Sequence, residues 1–373
     1  KWKKINPIYP NYYFTSLDTK DTEQYDEGKS IKDIFKESVT GIKTSRDNLV
    51  IDFNKEKLIE KIYKFLMYKD SYKNLCKEFD ISEVKGWNYE QAKKEIDKSN
   101  IDNYIKDLCF RPFDIRKIFY AESLIDRHRG RIMKSLIDKG NLALITGRST
   151  NKKNIVNHFL VTDCMAEIKS SESTKGSHVF PLKIKSDNKS ADNELFAQDE
   201  YNFQTDFIEY INNKYSKKIH PELIFYYIYG LLNSRNYLRK YKEQLRLDFP
   251  KIYFRKKEKE FLRISELGKK LTQIQLNKNC NSENFFQGND LKFIKKKYEI
   301  VNEKLFINET SFFIVNNDTA KFEIGGYKIL EKYINSREDF LNESKSISEI
   351  NNLIYRINET INIQKIIDDE FNF

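Results

Sequence analysis

Cysteine, histidine, methionine and tryptophan are scarce in this chain, with 4, 4, 3 and 2 residues among 373. The cysteines, at positions 76, 109, 164 and 280, contain no Cys-x-x-Cys pair, and the histidines are equally scattered. The ligand spacing of a zinc ribbon and the pairing of a disulfide framework are therefore missing. Isolated cysteines are typical of a reducing compartment, so we expect a cytoplasmic protein.

Glycine and proline are also few, with 12 and 6 residues. No Gly-x-Gly pair occurs, which excludes the common glycine-rich loops that bind dinucleotides or methyl donors. The phosphate-binding loop Gly-x-x-x-x-Gly-Lys and the nucleophile elbow Gly-x-Ser-x-Gly are absent as well. No apolar run approaches the ~18–20 residues of a membrane helix. We therefore expect this chain to contain no catalytic residue, no metal and no cofactor, and to make no membrane contact.

The abundant residues indicate a folded, positively charged protein. Hydrophobic residues make up 39% of the chain and aromatic residues 14%, which is enough for a substantial core. Charged residues make up 33%, and the net charge is +10. This balance favours an anionic partner, with nucleic acid first and an acidic protein second. Because the sequence starts at Lys1 rather than Met, we expect a longer parent protein.

Hydrophobic periodicity predicts an α+β protein in three parts. Residues 1–105 are a connector, with an extended lead-in followed by helices over 54–104. Residues 106–200 are a β-rich lobe, and residues 201–373 are mainly helical with a small β meander near 299–324. In the lobe we expect strands over 118–120, 142–146, 155–161 and 179–184, and a helix over 126–138.

Local signals add detail to the C-terminal part. Pro221 is suitably placed for the start of a helix. Residues 316–318 are expected to form a turn of the meander. Ser346 and Glu349 form a capping-box pattern before a long apolar stripe, which predicts a final helix.

A basic stretch between Arg127 and Lys153 is the most informative local feature. It contains eight Lys or Arg residues and one acid. Inside it, the apolar run 142–146 predicts a buried strand that delivers Arg148, Ser149 and Thr150 into a loop. Such a loop suits duplex DNA, because cations bind phosphates while Arg, Ser, Thr and Asn can contact base edges. The alternative is a solvated basic surface beside an ordinary strand.

Two further segments suit the same partner. Residues 170–177 are rich in Ser, Thr and Gly, so this loop could enter a groove closely. Residues 234–258 contain nine bases and three acids, interleaved with Tyr237 and Tyr241, and could contact flanking DNA backbone. A solvated helix face is the alternative for this second basic run.

Two other functions stay open. Asp163, Glu167 and Lys169 resemble the Asp…Glu-x-Lys spacing of metal-dependent nucleases, in which the carboxylates hold Mg²⁺ beside a scissile phosphate. The gap is short for the usual pair of adjacent strands, and such matches are frequent by chance in a chain this rich in Asp, Glu and Lys. The second possibility is a protein-interaction scaffold whose basic faces hold an acidic partner.

Four segments in order, FRPFDIRKIFY (110–120), RHRGRIMKSLI (127–137), NLALITGRS (141–149) and HVFPLKI (178–184), resemble a known family. It is the C-terminal target-recognition region of single-chain restriction–modification enzymes of the Type ISP and Type IIG-like class. The segments 225–252, 261–274 and 322–338 resemble its later motifs, so the resemblance covers nearly the whole chain. At the family's "dFPRIP" turn this chain has Phe249, Pro250, Lys251 and Ile252.

The resemblance implies a sequence-specific, non-catalytic duplex-DNA recognition domain. The parent polypeptide would also contain a nuclease, an adenine-N6 methyltransferase and, in some members, a DNA-translocating ATPase. S-adenosylmethionine, Mg²⁺ and, in those members, ATP would belong to those parts, and the recognition region would present an adenine for flipping. A stand-alone specificity subunit is the alternative arrangement.

Site residues follow from combining the resemblance with the charge pattern. We predict base contacts by Arg148, Ser149, Thr150, Asn151, Ser173, Thr174, Lys175 and Ser177. We predict phosphate contacts by Arg127, Arg129, Arg131, Lys134, Lys152, Lys153, Arg235, Arg239 and Lys240. Arg111 and Arg116 could form structural ion pairs as easily as they could bind DNA.

Overall fold

The structure is a computed structural model. It describes residues 19–83, 86–137, 140–152, 156–185, 199–278, 283–288, 299–337 and 344–371. Four segments named from the sequence lie wholly or partly outside the described residues. They are the lead-in before Thr19, the predicted phosphate contact Lys153, the start of the predicted strand 155–161 and most of the polar stretch 186–202.

The N-terminal part is helical between short strands, as predicted for 54–104. In its longest helix Leu58, Ile62 and Phe65 are buried on one face, and the Asn54 side chain accepts a hydrogen bond from the amide of Lys57 at the N-terminus. The end of the predicted extended lead-in is also helical. The elements are α1 (Thr19–Asp26), β1 (Lys29–Ser30), α2 (Ile31–Ile34), β2 (Val39–Thr40), α3 (Asp47–Val50), β3 (Ile51–Asp52), α4 (Lys55–Met67), α5 (Tyr72–Glu78), α6 (Tyr89–Glu95) and a 3-10 helix Lys98–Tyr104.

The middle part is rich in strands, as predicted. The strand expected over 179–184 is divided into two by Leu182, and the helix expected over 126–138 is shorter. The elements are β4 (Ile105–Arg111), β5 (Asp114–Phe119), a 3-10 turn Glu122–Leu124, α7 (Gly130–Lys134), β6 (Ala143–Gly147), β7 (Phe159–Thr162), β8 (Met165–Ala166), β9 (Ser177–Pro181), β10 (Lys183–Lys185) and β11 (Asp199–Tyr201).

The C-terminal part is mainly helical with a meander, and Pro221 begins a helix as predicted. Residues 316–318 are not a turn, because the Asn316 side chain caps a short helix instead. The final helix begins two residues before Ser346. The elements are α8 (Thr205–Lys214), α9 (Pro221–Leu232), α10 (Arg235–Lys240), α11 (Lys242–Leu247), β12 (Lys251–Ile252), α12 (Glu258–Gln275), β13 (Phe286–Gln287), β14 (Glu299–Val301), β15 (Lys304–Phe306), β16 (Phe312–Ile314), α13 (Asn317–Ala320), β17 (Glu323–Ile324), β18 (Tyr327–Lys328), α14 (Ile329–Asn335) and α15 (Ser344–Glu370).

Two four-stranded sheets form the centre of the molecule. One is antiparallel, in the order β2-β9-β6-β7. The other has the order β3-β5-β4-β8, in which β4 and β8 are parallel. The meander strands pair in the order β13-β16-β15-β14. This mixture of helices with several small sheets confirms the predicted α+β class.

The sheet that contains β6 is buried on both faces. Ala143 and Ile145 belong to one hydrophobic core, with α4, β4, the meander and the first half of α15. Leu144 belongs to a second core, with α8 to α12 and the end of α15. This explains why the run 142–146 is continuously apolar rather than alternating. Both cores combine residues from different predicted parts, so the three-part division stays a prediction.

Two glycines allow α9 and α12 to pack closely in the second core. A Cβ on Gly268 would overlap the carbonyl oxygen of Tyr226 and lie 2.9 Å from the amide nitrogen of Gly230. The contact therefore requires a residue without a side chain. It fixes the helical layer that supports one face of the β6 sheet.

Candidate nucleic-acid interface

The first loop, residues 147–152, lies at the C-terminal end of β6, an internal strand of the doubly buried sheet. Its Arg148 side chain is 65% exposed, and its Nε lies 2.8 Å from Oδ1 of Asp248, which is also exposed. The amide of Thr150 donates to the carbonyl of Arg246 at 3.2 Å. The first loop therefore lies against the segment 246–250, which contains the Phe-Pro turn.

The second loop, residues 169–176, precedes β9 and is organised by a buried carboxylate. Glu172 is 0% exposed and accepts hydrogen bonds from the amide of Thr174 at 2.7 Å and from the amide of Lys175. It also accepts from the hydroxyl of Thr174 at 2.8 Å and from that of Thr150, in the first loop, at 2.9 Å. One carboxylate thus connects both loops.

Further hydrogen bonds join the loops to each other and to the sheet. The amide of Asn151 donates to the Thr174 hydroxyl at 3.2 Å, and the amide of Lys152 donates to the Thr150 hydroxyl at 3.0 Å. At the base of the second loop, the amide of Ser171 donates to the Ser177 hydroxyl at 3.1 Å. The two loops therefore form one hydrogen-bonded unit, so their exposed side chains have defined positions.

A third segment, the β17–β18 hairpin (323–328), also contacts the second loop. The amide of Ser173 donates to the carbonyl of Gly325 at 2.9 Å, and the Tyr327 hydroxyl donates to the carbonyl of Lys169 at 2.8 Å. Gly325 and Gly326 have positive φ angles of 56° and 86°. Sequence reasoning missed this hairpin as part of the site, although the consecutive glycines in a family-like motif were a signal.

The predicted base-contact residues differ in exposure. Thr150 and Ser177 are buried and hydrogen bonded within the chain, so base contact by either would require the loops to rearrange. Arg148, Asn151 and Lys175 are exposed, whereas Ser149, Ser173 and Thr174 are half-buried. The structure therefore brings all eight into one region while exposing them unequally.

The first basic segment, residues 127–134, lies in a turn followed by α7. The backbone of Arg127 pairs with that of Lys43, and Arg129 has a left-handed conformation with a φ of 58°. Arg131 pairs with Glu37 at 2.7 Å, and Lys134 pairs with Glu122 at 3.2 Å. Arg127, Arg131 and Lys134 are exposed and Arg129 is half-buried, and two of these cations are already opposite an acid.

Residues of the second basic run lie around a cavity of about 460 Å³ that Val156 and Asn157, downstream of the first loop, also line. Arg235 Nε is 3.2 Å from Oε1 of Gln364, and Arg239 is exposed beside the cavity. Lys240 points elsewhere, with its Nζ 2.7 Å from Oε1 of Gln24. Tyr237 and Tyr241 are core residues. The interleaved aromatics therefore anchor this run rather than stack on a partner.

His178, on β9, lies near cations from three segments of the chain. The pKa of His178 is lowered by burial and by the charges of Arg148, Lys32 and Arg129. Its ring contacts Phe249 edge-on, with ring centroids 5.0 Å apart. Three cations from separate segments of the chain therefore lie close enough to affect this one ring.

Two of the residues considered for a nuclease, Asp163 and Glu167, have other partners. Asp163 pairs with Lys278 at 3.1 Å, and the buried carboxylate of Glu167 pairs with Arg111. Arg116 pairs with Asp114 at 2.8 Å. Across the described ranges, no three His, Cys, Asp or Glu side chains are grouped so that they could hold a metal ion. Within these same ranges, none of the helices has the length and apolar character that crossing a membrane requires.

Comparisons with known proteins agree with this geometry. No curated protein matches the sequence. The DNA-bound, ATP-dependent Type ISP restriction–modification enzyme LlaBIII has a similar fold, with a TM-score of 0.74 and 22% identity over 99% of this chain and 25% of that one. In the DrdV–DNA complex the TM-score is 0.71 and the identity 17%, over 98% of this chain and 40% of that one. A nuclease-deletion mutant of the Type ISP enzyme LlaGI with a DNA substrate mimic has a TM-score of 0.66 and 16% identity, over 100% of this chain and 30% of that one.

This chain thus spans two fifths or less of the length of these proteins. The family described as the Type ISP C-terminal specificity domain matches residues 33–365, which confirms the resemblance found in the motifs. This chain belongs to the Type ISP C-terminal specificity domain family.

Proposed function

We propose that this chain reads the DNA target sequence of a restriction–modification enzyme and catalyses no reaction itself. The observation that carries the proposal is the hydrogen-bonded unit of both loops and the β17–β18 hairpin at the end of a doubly buried sheet. Reading base edges requires side chains held within a fraction of an ångström, and rigid elements supply such positions. Membership of a specificity-domain family agrees with this role.

Base reading belongs to the exposed side chains of the two loops. Arg148 is suited to the two acceptors of guanine, and Asn151 is suited to adenine. Lys175 can donate to guanine from the tip of the second loop. Thr150 and Ser177, which are buried, contribute by ordering the loops.

Phosphate binding belongs to the cations around this unit. Lys152 lies in the first loop, and Arg127, Arg129, Arg131 and Lys134 belong to the first basic segment, of which Arg129 acts on His178 together with Arg148. Their acidic partners are exposed or half-buried, so exchanging such a partner for a phosphate costs little. Arg235 and Arg239 line a separate cavity and suit flanking backbone, and Lys240 and Lys153 complete the proposed set.

The remaining activities belong to parts of the parent protein beyond this chain. They are an adenine-N6 methyltransferase that uses S-adenosylmethionine, a nuclease that uses Mg²⁺ and, as in some members of the class, a DNA-translocating ATPase that uses ATP, all in the cytoplasm. LlaBIII, which is described as ATP-dependent, is similar in fold to this chain over a quarter of its own length. This chain contains no Gly-x-Gly pair, and its described residues include no group of three His, Cys, Asp or Glu side chains that could hold a metal ion.

Selection from a randomised duplex library tests the proposal. The chain is immobilised, bound duplexes are recovered over several rounds, and the affinity for the enriched sequence is compared with that for a shuffled one. We expect one enriched sequence and a preference on the order of 10³-fold or more, as for other sequence-specific proteins. The affinity for both duplexes should fall steeply with salt, because cations displace condensed counterions.

Two other results have clear meanings. Weak binding without enrichment of any sequence would favour a protein-interaction scaffold with basic faces. Mg²⁺-dependent cleavage of DNA by this chain, abolished by Glu167→Ala, would contradict the non-catalytic assignment.

A further inference from the structure

Glu172 is a buried carboxylate whose hydrogen-bond donors come from both loops. Its Oε1 accepts from the hydroxyls of Thr150 and Thr174, at 2.9 and 2.8 Å. Its Oε2 accepts from the amides of Thr174 and Lys175. A fully buried charge is costly unless its acceptor sites are filled, and here four donors fill them.

The β17–β18 hairpin fixes the backbone beside Glu172 from the other side. A Cβ on Gly325 would overlap the carbonyl oxygen of Ser171, and a Cβ on Gly326 would overlap the Lys152 side chain and the Ser173 hydroxyl. The hairpin itself is held by Asn157, whose Oδ1 accepts from the amide of Gly325 at 3.1 Å and whose Nδ2 donates to the Glu323 carbonyl. Both glycines are therefore required for this close contact.

We propose that Glu172 is a positioning residue that fixes the two reading loops against the Gly325–Gly326 hairpin, so that discrimination between DNA sequences depends on it. The inference rests on the proposed function. Glu172 is buried and touches no DNA. Its effect reaches the DNA through Thr150, next to Arg148 and Asn151, and through Thr174 and Lys175. Without the acceptor oxygens of Glu172, the exposed cations remain in the loops, but their spacing is no longer fixed.

The contrast between Glu172→Met and Glu172→Gln isolates the acceptors. Met has a similar length but cannot accept from the Thr174 and Lys175 amides, so these buried donors lose their partner. Gln keeps one side-chain oxygen that can accept from the two amides. The two threonine hydroxyls, which donate to Glu172 in wild type, can rotate and accept from the NH₂ group of Gln. We therefore expect loss of function in the Met variant and rescue in the Gln variant.

Gly325→Ala supplies an independent test, with Gly86→Ala as its matched control. Gly325→Ala displaces the Ser171 backbone, whereas Gly86→Ala meets nothing within 4 Å of the added Cβ. Gly86 also has a positive φ, of 84°, so its replacement carries a comparable backbone cost away from the loops. A change caused by general destabilisation would appear in both variants.

The measurement is the affinity of each variant for the duplex enriched by wild type and for a shuffled duplex, at several salt concentrations. For Glu172→Met and Gly325→Ala we expect the ratio of the two affinities to fall about tenfold or more, since the loss of one or two buried hydrogen bonds changes an equilibrium by this factor. The affinity for the shuffled duplex and its salt dependence should stay within about twofold, because the exposed cations remain. Gly86→Ala and Glu172→Gln should keep the ratio.

The outcomes separate the two proposals. If wild type prefers no sequence, the proposed function fails. If wild type is selective and Glu172→Met keeps the full ratio, the positioning role is wrong while the proposed function stands. Should Glu172→Met fail to fold, as judged by circular dichroism, Thr150→Val decides, with the buried helix residue Thr272→Val as its control. An unchanged ratio in Thr150→Val would then overturn the positioning role.

Discussion

Arg148 and Asp248 form an exposed ion pair, and replacing each partner separately should change DNA affinity in opposite directions. The Arg148 Nε lies 2.8 Å from Asp248 Oδ1, with the two side chains 65% and 60% exposed. Exposed pairs contribute little to stability because water and salt screen them. Duplex DNA can therefore replace Asp248 as the partner of Arg148 at little cost.

The expected magnitudes follow from Coulomb's law and from base readout. An Asp248 carboxylate ~6 Å from a phosphate, in the dielectric of water, is repelled by about 0.7 kcal/mol, which is about threefold in affinity. Asp248→Asn should therefore strengthen binding to every duplex about threefold near 0.1 M salt, and less at 1 M, where screening is stronger. Arg148→Ala should lower the preference for the enriched duplex over one mismatched duplex by on the order of tenfold.

Fluorescence anisotropy with labelled duplexes measures both effects. Arg263 and Glu370 form a second exposed pair, with Nη2 2.7 Å from Oε1, on helices outside the proposed interface. Arg263→Ala and Glu370→Gln are therefore matched controls, and they should leave the sequence preference unchanged. Thermal melting should show that all four variants are folded.

One pattern of results would rule out base reading by Arg148. If Arg148→Ala and Asp248→Asn both weaken binding, and do so equally for all duplexes, the role of the ion pair is to hold the segment 246–250 in place. Arg148 would then not be a base-reading residue.

Three further predictions concern phosphate binding, packing and pH. Lys152→Ala should weaken binding to all duplexes alike and lower the slope of log affinity against log salt by about one, and a change limited to one sequence would contradict its assignment to phosphate. Gly268→Ala should lower the free energy of unfolding by roughly 1–3 kcal/mol or more in denaturant titrations, because α9 and α12 must separate, whereas Gly176→Ala meets only the Ile168 side chain at 3.3 Å and should cost less. Burial lowers the pKa of His158 from 6.5 to about 4, so the unfolded chain binds the extra proton as the pH falls below 6.5. The free energy of unfolding should therefore fall by roughly 3 kcal/mol between pH 6.5 and pH 4. If His158→Gln loses as much free energy over the same range, protonation of His158 is not the cause.

Local patterns in the sequence predicted the elements that local forces dominate. The continuous apolar run before Gly147 predicted a buried strand, and β6 is buried on both faces. Apolar spacing predicted α4, and Pro221 predicted the start of α9. The motif order predicted the family that the match over residues 33–365 then confirmed.

Distant contacts could not be predicted in the same way. The strand β1 pairs with β12, more than 200 residues later, and each strand is two residues long, so neither has a periodicity to detect. The hairpin around Gly325 meets Ser173, which lies more than 150 residues earlier in the chain. Nothing local indicated that these segments would meet.

The candidate site shows the same limit at the level of single side chains. The sequence predicted that Arg148, Thr150 and Asn151 belong to one loop, but Thr150 is buried beneath it. The sequence around Glu172 does not indicate its role, because a carboxylate in a polar loop is usually exposed. Its four donors come into place only when both loops fold against the sheet.

Lysine reactivity with and without bound duplex tests whether the two loops and the hairpin form the DNA-reading surface. The chain is acetylated in the presence of the enriched duplex, and the rate at each lysine is measured by mass spectrometry. We predict that the duplex slows modification of Lys152 and Lys175, in the two loops, and leaves Lys73 and Lys77 on α5 unchanged. Slower modification of Lys73 and Lys77, with Lys152 and Lys175 unaffected at saturating duplex, would show that DNA binds elsewhere than at the two loops.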